Sequence, residues 1–176
     1  MTARHRAIRK GASTVNTPVV LDLENSVTVV VSMIANRITN SGSAIFRARH
    51  SLGSTDWKVL STIAVEPAVT GMRISQLVGL DRSAVSRVLK HFAAAGLVEI
   101  GQSDRQSNYQ EVTLTEAGQK LHDEAILTAF EREDFLIEPF SDAERVLLLK
   151  LLHRLLARAS RLGDVDGPES KRRTPA

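Results

Sequence analysis

The sequence contains no cysteine. Disulfide scaffolds, thiolate metal sites, cysteine nucleophiles and thiol redox sensing are therefore excluded together. Methionine offers little in their place: Met1 lies in a tail and only Met33 and Met72 occur elsewhere, so methionine oxidation reads as a poor switch. No apolar run approaches the roughly 20 residues that cross a bilayer; the best stretch, VTVVVSMIA from Val27, is interrupted by Asn36 and Arg37. The basic N-terminus leads into the polar GASTVNTP instead of an apolar segment, so no secretory signal is expected and the cytoplasm is the expected compartment. Missing too are an HExxH or other close ligand spacing among His5, His50, His91, His122 and His153, a phosphate-cradling glycine loop and a nucleophile elbow. The run Glu131-Arg132-Glu133-Asp134 reads as a solvated helix face, not a metal site. Neither an enzyme, a bound metal nor a cofactor is expected.

What is present is a chain of 176 residues, 43% hydrophobic and 24% charged, the profile of one soluble globular domain with a sizeable core. The net charge is +3, but Arg4, Arg6, Arg9 and Lys10 stand in residues 1–18 without an acid, leaving the remainder at −1. Any attraction to nucleic acid must therefore come from a local basic face. Residues 1–18 and 163–176 read as disordered tails, and 19–162 as a single domain.

Within that domain, Leu23, Val27, Val30, Ile34 and Ile38 step by threes and fours, predicting a long amphipathic helix over 21–50. Ser54 is the expected N-cap of a short helix carrying Trp57, Leu60 and Ile63, and a loop is expected over 66–73. Two helical stretches follow with only Gly79, Leu80 and Asp81 between them. Asp81 suits the cap of the second, which begins near Arg82, and Gly96 suits its end. Strands are predicted over 97–100 and 110–114, joined by the long polar loop GQSDRQSNY. Thr115 caps a helix to about 138, and Ser141 with Glu144 forms a capping box for a last helix to 162.

At 100° per residue from Ser83, Val85, Val88, Leu89 and Phe92 fall between about 140° and 240°, one apolar face. Ser86, Arg87 and Lys90 lie within about 60° of Ser83, on the opposite side. Arg82 and His91 flank this polar face, and no acid stands between them. Two helices joined by a tight turn, the second presenting such a face, describe a helix-turn-helix whose second helix can enter a major groove. Small hydroxyls permit close approach, and arginine can bind a guanine edge or a phosphate through two parallel hydrogen bonds. The following hairpin makes this a winged helix, with Arg105 near the loop tip placed to reach an adjacent minor groove or phosphate.

The sequence resembles the MarR family of winged-helix transcriptional regulators. The resemblance spans about 21–162 and is strongest in RISQLVGLDRSAVSRVLKHFAAAGLVEI and in TLTEAGQKL, where Leu114, Thr115 and Gly118 match the family's Leu-Thr-x-x-Gly junction. It implies a mainly α fold with a small β-hairpin wing. The winged helix-turn-helix, about 54–115, would be flanked by dimerisation helices over about 21–50 and 116–162. It further implies a homodimer on a pseudo-palindromic operator in double-stranded DNA, commonly a repressor released by a small anionic or phenolic effector. Such an effector would lie between the arms and the winged core, near Asn36, Arg37 and Trp57. The wing departs from the family's Asp-x-Arg pattern, because Asp104 and Arg105 are adjacent.

The arms carry their own message. Leu147, Leu148, Leu149, Leu151, Leu152, Leu155 and Leu156 cover most of the last helix's circumference, which demands burial on more than one side. A second copy of the chain is the simplest source. The helix over 116–138 carries seven acids against Lys120 and Arg132, so it should turn away from DNA. The rival reading is a helical dimeric adaptor that binds only proteins; retention on heparin and steep salt dependence separate the two.

Overall fold

The computed structural model describes residues 20–102 and 110–163. In chain order the elements are α1 Val27–His50, α2 Ser54–Val65, β1 Val69–Thr70, α3 Gly71–Val78, α4 Arg82–Ala94, β2 Val98–Gln102, β3 Gln110–Leu114, α5 Glu116–Ile137 and α6 Asp142–Ala159. They form two compact units, one ending at Gly42 and the other starting at Ser43, so the boundary falls within α1. The expected tails, apart from Gly163, lie outside the described residues, as does the loop 103–109 with Arg105.

In the first unit, α1 begins at Val27, later than periodicity suggested. Asp22 is the reason: its carboxylate accepts from the Asn25 side chain at 2.9 Å and from the Glu24 and Asn25 amides at 3.2 and 3.1 Å. That local turn competes with helix. The stripe of Val27, Val30, Ile34 and Ile38 is exposed along α1.

The second unit holds the core. Phe92, Leu60, Ile63, Ile74, Val59, Val85 and Val112 are fully buried, drawn from α2, α3, α4 and β3, so the interior sits under the helix-turn-helix. Truncating a core phenylalanine such as Phe92 removes about 3–5 kcal/mol of stability.

Three local expectations need correction. The cap of α2 is Gly53, not Ser54: the Asp56 carboxylate accepts from the Gly53 amide at 2.7 Å, and the Trp57 amide donates to the Gly53 carbonyl at 3.0 Å. The expected loop over 66–73 contains β1, which pairs antiparallel with β3 through Val69↔Val112 and Thr70↔Glu111. The sheet therefore has three strands in the order β1-β3-β2, not the two of a bare hairpin. Thr70 also accepts from the Arg73 amide at 3.2 Å, so strand passes directly into α3. Finally, β2 starts at Val98 and runs to Gln102, because pairing with β3 continues to Gln102↔Gln110.

The remaining signals match. Asp81 caps α4, accepting from the Ala84 amide at 2.8 Å, and Gly96 takes φ +69° just beyond its end. Glu144 accepts from the Ser141 amide at 2.9 Å at the head of α6. Yet α6 contains no buried residue at all.

Candidate nucleic-acid interface

The α4 helix is shaped by its two opposed faces. Val85, Val88, Leu89 and Phe92 are all buried, while Arg82, Ser83, Ser86, Arg87, Lys90 and His91 are all exposed. Six of the seven residues expected at the interface thus share one open helix surface; the seventh, Arg105, is outside the described residues. Among the described residues neither Arg87 nor Lys90 forms an ion pair, so both cations are available to an incoming anion.

The start of the helix is tightly organised. Ser83 donates its hydroxyl proton to the Asp81 carboxylate, which leaves the Ser83 oxygen as an acceptor. Asp81 is held below the usual carboxylate range, first by Ser83, then by the Ala84 amide, with a smaller contribution from the Arg87 charge. Arg82 Nη2 donates to Met72 Sδ on α3 at 3.4 Å. That contact was invisible in the sequence, because it joins residues across the turn.

Where the wing meets α5, one hydroxyl serves both elements. Thr115 Oγ1 donates to the Gly96 carbonyl at 2.7 Å and accepts from the Gly118 amide at 3.1 Å, while the Thr115 amide donates to the Leu97 carbonyl at 3.0 Å. A Cβ on Gly118 would stand 2.0 Å from the Leu97 carbonyl oxygen, so only glycine fits there. Sequence reasoning found Thr115 as a cap, and the Leu-Thr-x-x-Gly motif flagged Gly118 without giving the reason for it.

The residues expected around an effector are distributed differently. Asn36 and Arg37 are exposed on α1 in the first unit. Trp57 belongs to the second unit, where its ring stacks on Phe46 at 5.0 Å and on His122 at 5.8 Å and packs against the core. His122 is buried, with Nδ1 3.1 Å from the Asp123 carboxylate. That contact, together with a bond from Gln119, holds Asp123 below the usual carboxylate range. Close by, His50 Nε2 lies 2.9 Å from Thr128 Oγ1 and Arg49 pairs with Glu131 at 2.8 Å, joining the end of α1 to α5. Neither pair carried a sequence signal, since each spans many residues.

Among the described residues no three His, Cys, Asp or Glu side chains gather as metal ligands, and no helix is long and apolar enough to cross a membrane.

The MarR family model matches residues 50–107. Among solved structures, a MarR/EmrR family transcriptional regulator from Acinetobacter sp. ADP1 is 28% identical with a TM-score of 0.75, the match covering 80% of this chain and 99% of that one. The Staphylococcus aureus MepR–DNA complex shares the fold at 16% identity and a TM-score of 0.69, covering 77% of this chain and 98% of that one. The PcaV transcriptional regulator of Streptomyces coelicolor, solved with its natural ligand, does so at 19% identity and a TM-score of 0.65, covering 80% and 98%. No protein of curated function matches the chain. The family model matches residues 50–107, which hold the helix-turn-helix, and the Acinetobacter regulator shares the fold over 80% of this chain, so the chain is similar to the MarR family of winged-helix transcriptional regulators.

Proposed function

We propose that this chain is a cytoplasmic homodimer that binds double-stranded DNA sequence-specifically at a pseudo-palindromic operator and represses transcription until a small-molecule effector releases it. The observation that carries the reading is the open face of α4, where exposed Ser86, Arg87 and Lys90 stand opposite four buried apolar side chains with no acid between Arg82 and His91. Arg87, one turn into the helix, is assigned to a base edge, Lys90 and Arg82 to phosphates, and Ser83 and Ser86 to the close approach. His91 lies at the edge of the same surface, and Arg105 is assigned to the wing contact.

The homodimer is supported by the exposed leucines of α6 and the exposed apolar stripe of α1, an excess that asks for an interface above roughly 1,600 Å². Two copies of α4 would then lie about 34–36 Å apart, one DNA turn. For the effector, support comes from the ligand-bound state of PcaV, and Trp57 is its proposed neighbour in the second unit. No catalytic role is assigned.

Selection of duplexes from a random pool tests the reading. Enriched inverted repeats with half-sites about 10 base pairs apart are expected. The exposed leucines of α6, taken alone, also suit a helical adaptor that binds only proteins; no enrichment, with no retention on heparin, would decide for that second reading.

A further inference from the structure

Arg82 opens α4, and its Nη2 donates a hydrogen bond to Sδ of Met72, 3.4 Å away on α3. Arg82 is exposed and Met72 half-buried, so the contact lies at the protein surface beside the face assigned to DNA. A thioether is a weak acceptor, and the bond therefore leaves the guanidinium free to exchange it for a phosphate. With no cysteine in the chain, no thiol intercepts an oxidant, and the methionine sulfurs are the residues it reaches. Met33 stands on α1, whereas Met72 touches the first residue of α4.

The sequence alone makes methionine oxidation a poor switch, but this contact with the head of α4 changes that reading, and we propose that Met72 is an oxidation site that governs whether Arg82 is available to DNA. Hydrogen peroxide supplies the oxygen: the sulfur lone pair attacks one peroxide oxygen, the O–O bond breaks and an S–O bond forms. Sulfur loses two electrons, and the second oxygen, taking up the proton of the first, leaves as water. The product carries a compact, strongly polar oxygen where the thioether had none. Facing Arg82 Nη2, it replaces a weak N–H···S contact with a charge-assisted N–H···O bond, roughly twice as strong as a neutral one. Arg82 is then held on α3 and its phosphate contact is lost. Methionine sulfoxide reductases restore the thioether, whereas a simple thiol reductant does not.

The inference rests on the DNA-binding reading of α4, and the experiment keeps the two apart. The full-length chain is treated with hydrogen peroxide, oxidised residues are located by peptide mass mapping, and duplex binding is measured across a salt series. Oxidation of Met72 is expected to lower affinity about fivefold near 0.15 M salt and to reduce the salt slope by about one, the signature of one lost phosphate contact. Arg82→Ala should show the same deficit before oxidation and lose nothing more after it, and Met72→Leu should ignore peroxide. Two results overturn the proposal: Met72 oxidised with affinity and slope unchanged, or a loss that persists in Met72→Leu. If the untreated chain binds no duplex, the functional reading has failed, and the Arg82 Nε–H resonance decides the inference. A shift on oxidation that Met72→Leu abolishes supports it, and a resonance that does not move overturns it.

Discussion

Gly118→Ala sets two opposing effects against each other, and their sizes predict the outcome. Alanine is the better helix former, by about 1 kcal/mol at an exposed interior position, so an unconstrained site near the head of α5 would be stabilised. Here the new methyl would lie 2.0 Å from the Leu97 carbonyl oxygen, where ordinary contact starts at 3.4 Å. More than an ångström of movement is required, and the obstacle is backbone. Leu97 is itself fixed, because its carbonyl accepts from the Thr115 amide at 3.0 Å and its amide donates to the Phe92 carbonyl at 2.9 Å. Overpacking of this kind costs about 1–3 kcal/mol, and the rigid partner places it at the upper end. The propensity gain offsets part, leaving a net loss of about 2 kcal/mol. At fixed protein concentration the Tm should fall by roughly 4–8 °C, with an unchanged m-value in urea. Because Leu97 joins α4 to β2, DNA affinity should fall as well. A Gly118→Ala variant more stable than its parent would refute the close approach and the joint built upon it.

Arg87→Ala should cost about 1–3 kcal/mol of operator affinity and relax preference at one base position, while Lys90→Ala should weaken all sequences alike and lower the salt slope by about one. Both residues are exposed, so thermal melting should be close to normal; unchanged affinity and specificity in folded Arg87→Ala would remove α4 from the groove. Asp81 has a depressed pKa owing first to Ser83, so its contribution is present above the unfolded pKa and lost as pH falls through the folded one. Asp81→Ala should therefore melt below its parent at pH 7 and converge with it in strong acid, and a deficit independent of pH would contradict the cap. Leu151 is exposed on α6, and Leu151→Asp should leave helicity largely intact in circular dichroism while sedimentation moves from dimer to monomer; a folded dimeric variant would place the interface elsewhere.

The helix-turn-helix was legible because α4 writes its environment into a strict pattern: apolar residues on one side, small and cationic residues on the other, and an aspartate at the head. Strand β1 was not legible, since two residues cannot display alternation and Val69 is buried only through pairing with β3. Ser54 is the better cap by composition, yet Gly53 takes the position because Asp56 reaches back to its amide. Similar competition at Asp22 delays α1. The Met72–Arg82 contact and the Thr115–Gly96 bond depend on tertiary approach, to which periodicity is blind.

If the proposed dimer forms over the final helix, which buries none of its side chains, the survival of this protein becomes a matter of abundance. If a second copy covers α6, each halving of chain concentration uncovers leucine-rich segments, and helix stability follows mass action. Newly made chains, too dilute to pair, would present that surface to proteases and chaperones before they could occupy any operator. Dimerisation would then filter supply: scarce regulator is cleared, plentiful regulator persists, and the response of a target gene to regulator dose becomes steeper than one chain per site would give.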